Sequence, residues 1–527
     1  MEPNIPRHCQ SATTKADADY VFYELTRSIC PTCRRVIDAK VLLRSNKVYL
    51  HKRCPEHGFF EALVYGDAEA YARQLRFNKP GTIPLQYTTE VVHGCPHDCG
   101  LCPEHQQHAC VGIIEVNSAC NMDCPLCYAD AGPGFNLTLA EVESILDGFV
   151  ATEGRPEVVQ FSGGEPSIHP EIVAMLRAAK ARNIRHVMLN TNGKRIAHDD
   201  DFLAELAAIQ PAIYFQFDGF ARETYRLIRG EPDILEEKVL ALDRLAEAGC
   251  PVVLVPAIER DVNDHEIGRL IEFGLEHPAV FGINFQPAFH SGRHGEHDPL
   301  RRMNNADLLT LMEEQTDGLF RSDDFVPVPC CFPTCNSVTY AYIEDGEVLP
   351  LTRILDVDEY LDYITNRALP ALSDEVHLAL EGLWSSSAVP GSDKAMSDFA
   401  LSCAACGLEL DLALPGTMFM IMLQDFLDPY TFNQKNLMKC CKEILLPDGK
   451  QIPFCAYNNV GYREQARVQL TARQRARARA EARGQRYEAP PLTFHFPADG
   501  FKEGILGANG RPVNNKHSTL NHKGESL

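Results

Sequence analysis

The stretch Gly112–Asp130, GIIEVNSACNMDCPLCYAD, runs an apolar, strand-like segment straight into Cys120, Cys124 and Cys127. The spacing is C-x3-C-x2-C. Three thiolates this close can hold three irons of a [4Fe–4S] cube and leave the fourth iron open to chelation by a substrate or cofactor. A zinc knuckle is the competing reading of the triplet taken alone. The segment that follows weighs against it. Glu157–Pro166, EVVQFSGGEP, reads as a second strand about one βα unit downstream, ending in a turn made by Gly163, Gly164, Glu165 and Pro166.

Working outward, the chain alternates strand and helix patterns. GIIEVN, EVVQFS, HVMLNTN, AIYFQFD, PVVLVPAI and VFGINFQPA are continuous apolar runs, as strands buried on both faces should be. Between them, helices are expected over Thr138–Val150, opening on a capping box from Thr138 to Glu141, and over Pro170–Arg182, Asp199–Ile209, Ile234–Ala248 and Asp264–Glu276. The fold class is therefore α/β, a partial (β/α)6 TIM-like barrel over 111–300, with its site at the C-terminal strand ends. Polar residues recur there: Ser162 and Glu165, Asn190 and Asn192, Gln216 and Asp218, then Glu259 and Gln286. Turn and cap geometry explains any one of them. Their recurrence favours a ligand site.

Together the triplet and the glycine turn resemble the radical S-adenosylmethionine (SAM) superfamily, over roughly Val111 to His290. The resemblance implies that Cys120, Cys124 and Cys127 bind the cluster and that SAM chelates its open iron. It implies that the turn Gly163-Gly164-Glu165 holds the SAM amino group, and that Asn190, Asn192, Gln216 and Asp218 line the ribose and methionine side, with Ser162 a further expected cofactor contact. The position before the third cysteine, often aromatic in that superfamily, is Leu126 here, and the aromatic Tyr128 follows the cysteine as an expected cofactor contact. The implied chemistry is reductive cleavage of SAM to a 5′-deoxyadenosyl radical that takes hydrogen from unactivated carbon.

The flanks are rich in cysteine. After a flexible 1–20, region 21–110 carries Cys30, Cys33 and Cys54, with His57 three residues on, the layout of a small ribbon for structural Zn or mononuclear Fe. Cys95, Cys99 and Cys102 repeat the C-x3-C-x2-C spacing, and Cys110 adds a fourth thiolate that closes the site, as suits a structural or electron-relay centre. Region 301–460 holds eight more: Cys330, Cys331, Cys335, Cys403, Cys406, Cys440, Cys441 and Cys455. They resemble the C-terminal extensions of radical SAM enzymes that bind one or two auxiliary [4Fe–4S] clusters. Cys9 and Cys250 read as unligated. Phe289–Arg302 is read as a solvated loop closing the site, and Met418–Phe426 as a core strand, with a greasy channel wall as the alternative. The last region, 461–527, is a basic helix and a flexible tail. Arg463–Arg486 contains eight Arg and two Glu, which suits either peripheral membrane contact or a helix pairing with the acidic body.

A chain of 527 residues, 45% hydrophobic, can bury a large core. Its formal charge of −22 argues against general binding to nucleic acid. The chain shows no secretory signal pattern and no run long enough to cross a bilayer, so a cytoplasmic setting is expected, in which most of the 20 cysteines serve as metal ligands. The ribbon, the doubled triplet and the cysteine-rich C-terminal region resemble a narrower group containing class D radical SAM methylases of a pterin precursor and tetraether lipid synthases. The expectation is a transferase that forms a C–C bond in lipid biosynthesis or methylates an unactivated carbon, on a lipid or pterin-like substrate, with a ferredoxin or flavodoxin as electron donor. A peptide-modifying maturase and a non-enzymatic Fe–S or Zn module binding nucleic acid are the alternatives. The second leaves the glycine turn without a purpose.

Overall fold

Alternation of buried and exposed residues makes the N-terminal region an antiparallel meander of β1 (Val21–Ile29), β2 (Val36–Arg44), β3 (Lys47–Cys54) and β4 (Gly58–Tyr65). The structure, a computed structural model, describes residues 18–294, 297–328, 331–344, 346–353 and 418–496. Cys9, Cys330, Cys403 and Cys406 lie outside the described residues.

The main sheet begins at β5 (Val111–Asn117), buried at every position as a two-sided strand must be. It continues through β6 (Val158–Gly163), β7 (His186–Thr191), β8 (Ala212–Gln216), β9 (Val252–Val255), the short β10 (Ala257–Ile258) and β11 (Val280–Pro287). The strands β5, β6, β7, β8, β9 and β11 pair in parallel and in that order, as expected for the half-barrel. Helices 172–180, 200–209, 235–247 and 267–276 fall within the expected segments; helix 139–153 runs three residues past its expected end and is capped by Thr138 and Glu141 as read from the sequence.

The sheet is longer than the sequence indicated. β12 (Val326–Pro327), β13 (Asn336–Glu344) and β14 (Glu347–Pro350) form an antiparallel extension, and β15 (Met418–Gln424) joins β13 to β11, running parallel to β11. On the other edge β16 (Lys442–Leu445) pairs in parallel with β5 and antiparallel with β17 (Gln451–Pro453). Eight parallel strands thus wrap the bore, two of them drawn from beyond residue 400. The ends of the sheet meet where the Lys442 ammonium donates to Asn336 Oδ1 at 2.8 Å. Met418–Phe426 is indeed a core strand, and Met420 and Met422 on one of its faces line the bore.

The Arg-rich segment forms helix 462–481, which lies across the barrel rather than standing free. Arg463 pairs with Glu115 of β5 at 2.6 Å, both side chains being nearly buried, and Arg477 pairs with Glu141 at 2.8 Å. Arg467 donates to the Asp130 carbonyl. The acidic body is the partner of this helix. No helix among the described residues is long and apolar enough to cross a membrane.

Candidate active site

The two sequence motifs meet through their backbones. Gly164 N–H donates to the Asn117 carbonyl at 3.0 Å and Glu165 N–H to the Ala119 carbonyl at 2.8 Å, so the glycine turn rests on the residues that lead into Cys120. Only glycine permits this. A Cβ on Gly163 would overlap the Asn117 carbonyl oxygen, and one on Gly164 the Ala119 oxygen. Gly163 also takes φ 140°.

Cys120, Cys124 and Cys127 pack around Met122, Tyr225 and Ile234 and lie close enough to perturb one another electrostatically. Burial pushes the Cys120 thiol up to about 12, a cost that cationic iron removes by taking thiolates. Backbone N–H groups of Met122 and Ala131 point at the sulfurs of Cys120 and Cys127, at 3.4 and 3.5 Å. Arg229 and Arg293 stand beside Cys124 and Cys127 respectively. The donor set, its cationic neighbours and the glycine cradle fit a [4Fe–4S] cluster and SAM.

Among the expected cofactor contacts, the side chains divide. Tyr128, Asn190 and Gln216 line the cavity of the bore, and Ser162 supports Asn190, accepting from its Nδ2 at 3.4 Å. Three others have their polar atoms engaged by neighbouring protein groups. Glu165 accepts from Ser167 N–H, the Thr191 hydroxyl and Asn192 N–H at 2.7–3.0 Å, tying the turn to the end of β7. Asn192 donates to Asn121 Oδ1 and accepts from Lys194 N–H. Asp218 is fully buried, takes both ends of the Arg229 guanidinium at 2.6 and 2.7 Å and accepts from Ala257 N–H. It acts on the cavity by holding Arg229, which lines it.

Several wall residues had no local signature in the sequence. Lys238 is buried and donates to the carbonyls of Asn192 and Gln216, and burial lowers its pKa to about 8. Arg293 exchanges two backbone hydrogen bonds of 2.8 Å with Cys127, which fastens the loop after β11 to the triplet. Phe289 and Phe454 flank Tyr128 with ring centroids 5.9 and 5.5 Å away. Inside the bore, carboxamides of Gln160, Asn190, Gln216, Asn284, Gln286 and Gln424 form a polar lining, with Met420 and Met422 beside Gln424 on the same strand face and Phe426 close by.

The other cysteines gather at three places. Cys30, Cys33, Cys54 and His57 offer four ligand atoms within 4.8 Å of one another, the tetrahedral donor set the ribbon reading requires. Cys95, Cys99 and Cys102 line a small cavity with His105. Cys110, expected as their fourth ligand, does not line it: its sulfur meets Gln107 Nε2 at 3.7 Å and His108 Nε2 at 3.5 Å. Cys331, Cys335, Cys440, Cys441 and Cys455 line a third cavity that shares Gln424, Phe426, Lys442 and Phe454 with the bore. His105, bonded to the Cys440 carbonyl at 2.7 Å, stands between the second and third thiol groups.

A family model described as the Radical SAM superfamily matches residues 114–274, and one described as the HMPTM N-terminal zinc ribbon domain matches residues 22–66. The chain is 32% identical over 477 residues to the 7,8-dihydro-6-hydroxymethylpterin dimethyltransferase of Methanocaldococcus jannaschii, a match covering 83% of this chain and 94% of that enzyme. The chain belongs to the radical SAM superfamily. Within the superfamily it shares a family with that methanogen enzyme. A GTP 3′,8-cyclase of Chlorobaculum tepidum is 34% identical over 167 residues, 31% of this chain and 49% of its own. Among solved structures, Streptococcus suis SuiB aligns over 40% of this chain and 46% of its own, at 16% identity and a TM-score of 0.34. As a radical SAM enzyme the protein uses a [4Fe–4S] cluster and SAM, and its zinc ribbon and further cysteine groups suit additional metal centres.

Proposed function

We propose that the protein is a radical SAM methyltransferase acting on an unactivated carbon of a pterin-like small molecule. The observation that carries this reading is the likeness to a pterin dimethyltransferase along nearly the whole of that enzyme. The carboxamide lining of the bore supports it, because uncharged amides match the alternating donors and acceptors of a fused heterocycle edge. Cys120, Cys124 and Cys127 hold the cluster, with SAM against the Gly163-Gly164 turn. That pair supplies reductive C–S cleavage and hydrogen abstraction. Arg229 and Arg293 balance the charge of the thiolates, Tyr128, Phe289 and Phe454 keep water from the reacting carbon, and Asn190 and Gln216 orient what binds. The thiol group of Cys335, Cys440, Cys441 and Cys455 holds an auxiliary cluster beside the bore, where it can pass electrons.

A second reading, carbon–carbon coupling of an aliphatic lipid chain, is favoured by the apolar patch of Met420, Met422 and Phe426 in the bore. One experiment separates the two. Anaerobically reconstituted protein is supplied with SAM, dithionite and either 6-hydroxymethyl-7,8-dihydropterin or an archaeal diether lipid, and products are followed by mass spectrometry. Methylated pterin with 5′-deoxyadenosine is expected. Coupled lipid with unchanged pterin overturns the first reading in favour of the second.

A further inference from the structure

We infer that His290, His294 and His297, with Asp428 as fourth ligand, form a site for a divalent transition metal that fastens the loop after β11 to the segment following β15. The three imidazoles each offer a nitrogen within 4.8 Å of the other two. Their rings stand 4.9–5.6 Å apart, centroid to centroid. Histidines that merely pack in a core find acceptors for their buried N–H groups. Here neither ring nitrogen of His294 has a hydrogen-bond partner among the described residues, and the same holds for His297 Nε2 and Asp428 Oδ2. The three side chains are only 5%, 6% and 0% exposed.

Asp428 is presented for this role. Its Oδ1 accepts from the N–H groups of Tyr430 and Thr431 at 2.8 and 2.9 Å and from the Thr431 hydroxyl at 3.1 Å, which leaves Oδ2 facing His297 Nε2 at 3.8 Å. Two ligand atoms each about 2.0 Å from one tetrahedral ion stand roughly 3.3 Å apart, so a small shift of either side chain brings Oδ2 and His297 Nε2 to that spacing, and Asp428 joins the three imidazoles by turning toward them as the ion binds. Arg302 binds Asp425 through its two terminal nitrogens, and its Nε stands 3.7 Å from the same Asp428 oxygen, an ion-pair separation too long for a hydrogen bond. Glu259 Oε2, 3.4 Å from His294 Nε2, orients that ring. Three imidazoles and a carboxylate suit Zn²⁺ or Fe²⁺ and contain no thiolate for an iron–sulfur cluster.

Four protein ligands fill a tetrahedral shell, so a zinc ion held there is a structural staple. Phe289, Ser291 and Arg293 of the stapled loop line the bore. The Pro429 carbonyl next to Asp428 accepts from Lys52 of the ribbon at 2.6 Å, so the ion anchors the point where ribbon, loop and barrel converge.

Anaerobic crystals of the full chain, grown with Zn²⁺ present, test this by anomalous diffraction at the zinc and iron edges. A peak among the three imidazoles at either edge is expected, and none at either edge overturns the inference whatever any variant does. In solution, H294A/H297A is expected to lose one metal equivalent per chain while the ribbon keeps its own. The difference in zinc X-ray absorption between the zinc-loaded parent chain and zinc-loaded H294A/H297A is expected to show a nitrogen and oxygen shell only. Unchanged metal content in the variant, or a sulfur shell in that difference, also overturns it.

Discussion

At Gly164 a single hydrogen atom occupies space that a methyl group would take from the Ala119 carbonyl, and the neighbouring Ser118 carbonyl oxygen is 2.6 Å from where that methyl would sit. Gly164→Ala is therefore expected to push the turn off the triplet, destabilising the fold by ~1–3 kcal/mol and abolishing 5′-deoxyadenosine formation. Thermal unfolding and product chromatography check the two effects. Lys238 makes a different prediction. Burial holds its folded pKa at about 8, below its usual 10.5, so between those values the unfolded chain binds more protons and stability rises with pH. The rise is on the order of 3 kcal/mol, and it is expected to vanish in Lys238→Met when denaturant midpoints are compared at the two ends of that window. The turn Gly163–Glu165 was legible because its function rests on backbone shape, which glycine announces. The engagement of Asp218 was not, because Arg229 sits on the following helix with no spacing that marks the pair, and the polar strand-end pattern looks the same whether a carboxylate meets ligand or arginine.

Helix 462–481 shows the same limit one level up. Its composition announced a basic helix, yet its partners, Glu115 and Glu141, lie more than three hundred residues earlier. Arg463→Met leaves the Glu115 carboxylate buried without a countercharge, and an expected loss of about 3–5 kcal/mol is measurable by chemical denaturation. Arg475→Ala, on the exposed side of the same helix, is expected to change stability by less than about 0.5 kcal/mol. The ribbon was more legible, since its four ligands are local in sequence and its strands alternate cleanly. The mouth loop was read as solvated because histidine and glycine are common in such loops, and only the packed structure brings its imidazoles onto Asp428.

For the whole molecule, the two C-x3-C-x2-C triplets are set apart by what surrounds them. Cys124→Ala and Cys99→Ala are each expected to lose one cluster's worth of iron by elemental analysis, but only Cys124→Ala is expected to lose SAM cleavage, since the glycine turn contacts its triplet alone. The six-strand half-barrel was readable from consecutive βα units. The two strands that extend it were not: β15 is far from β11 in sequence, and β16 is four residues long. Because those two strands emerge late from the ribosome, the bore has no far walls through most of synthesis. The Cys120 loop therefore has no complete enclosure available to it until residues beyond 440 have been made, so closure of the chamber can only be a late event in the life of the chain.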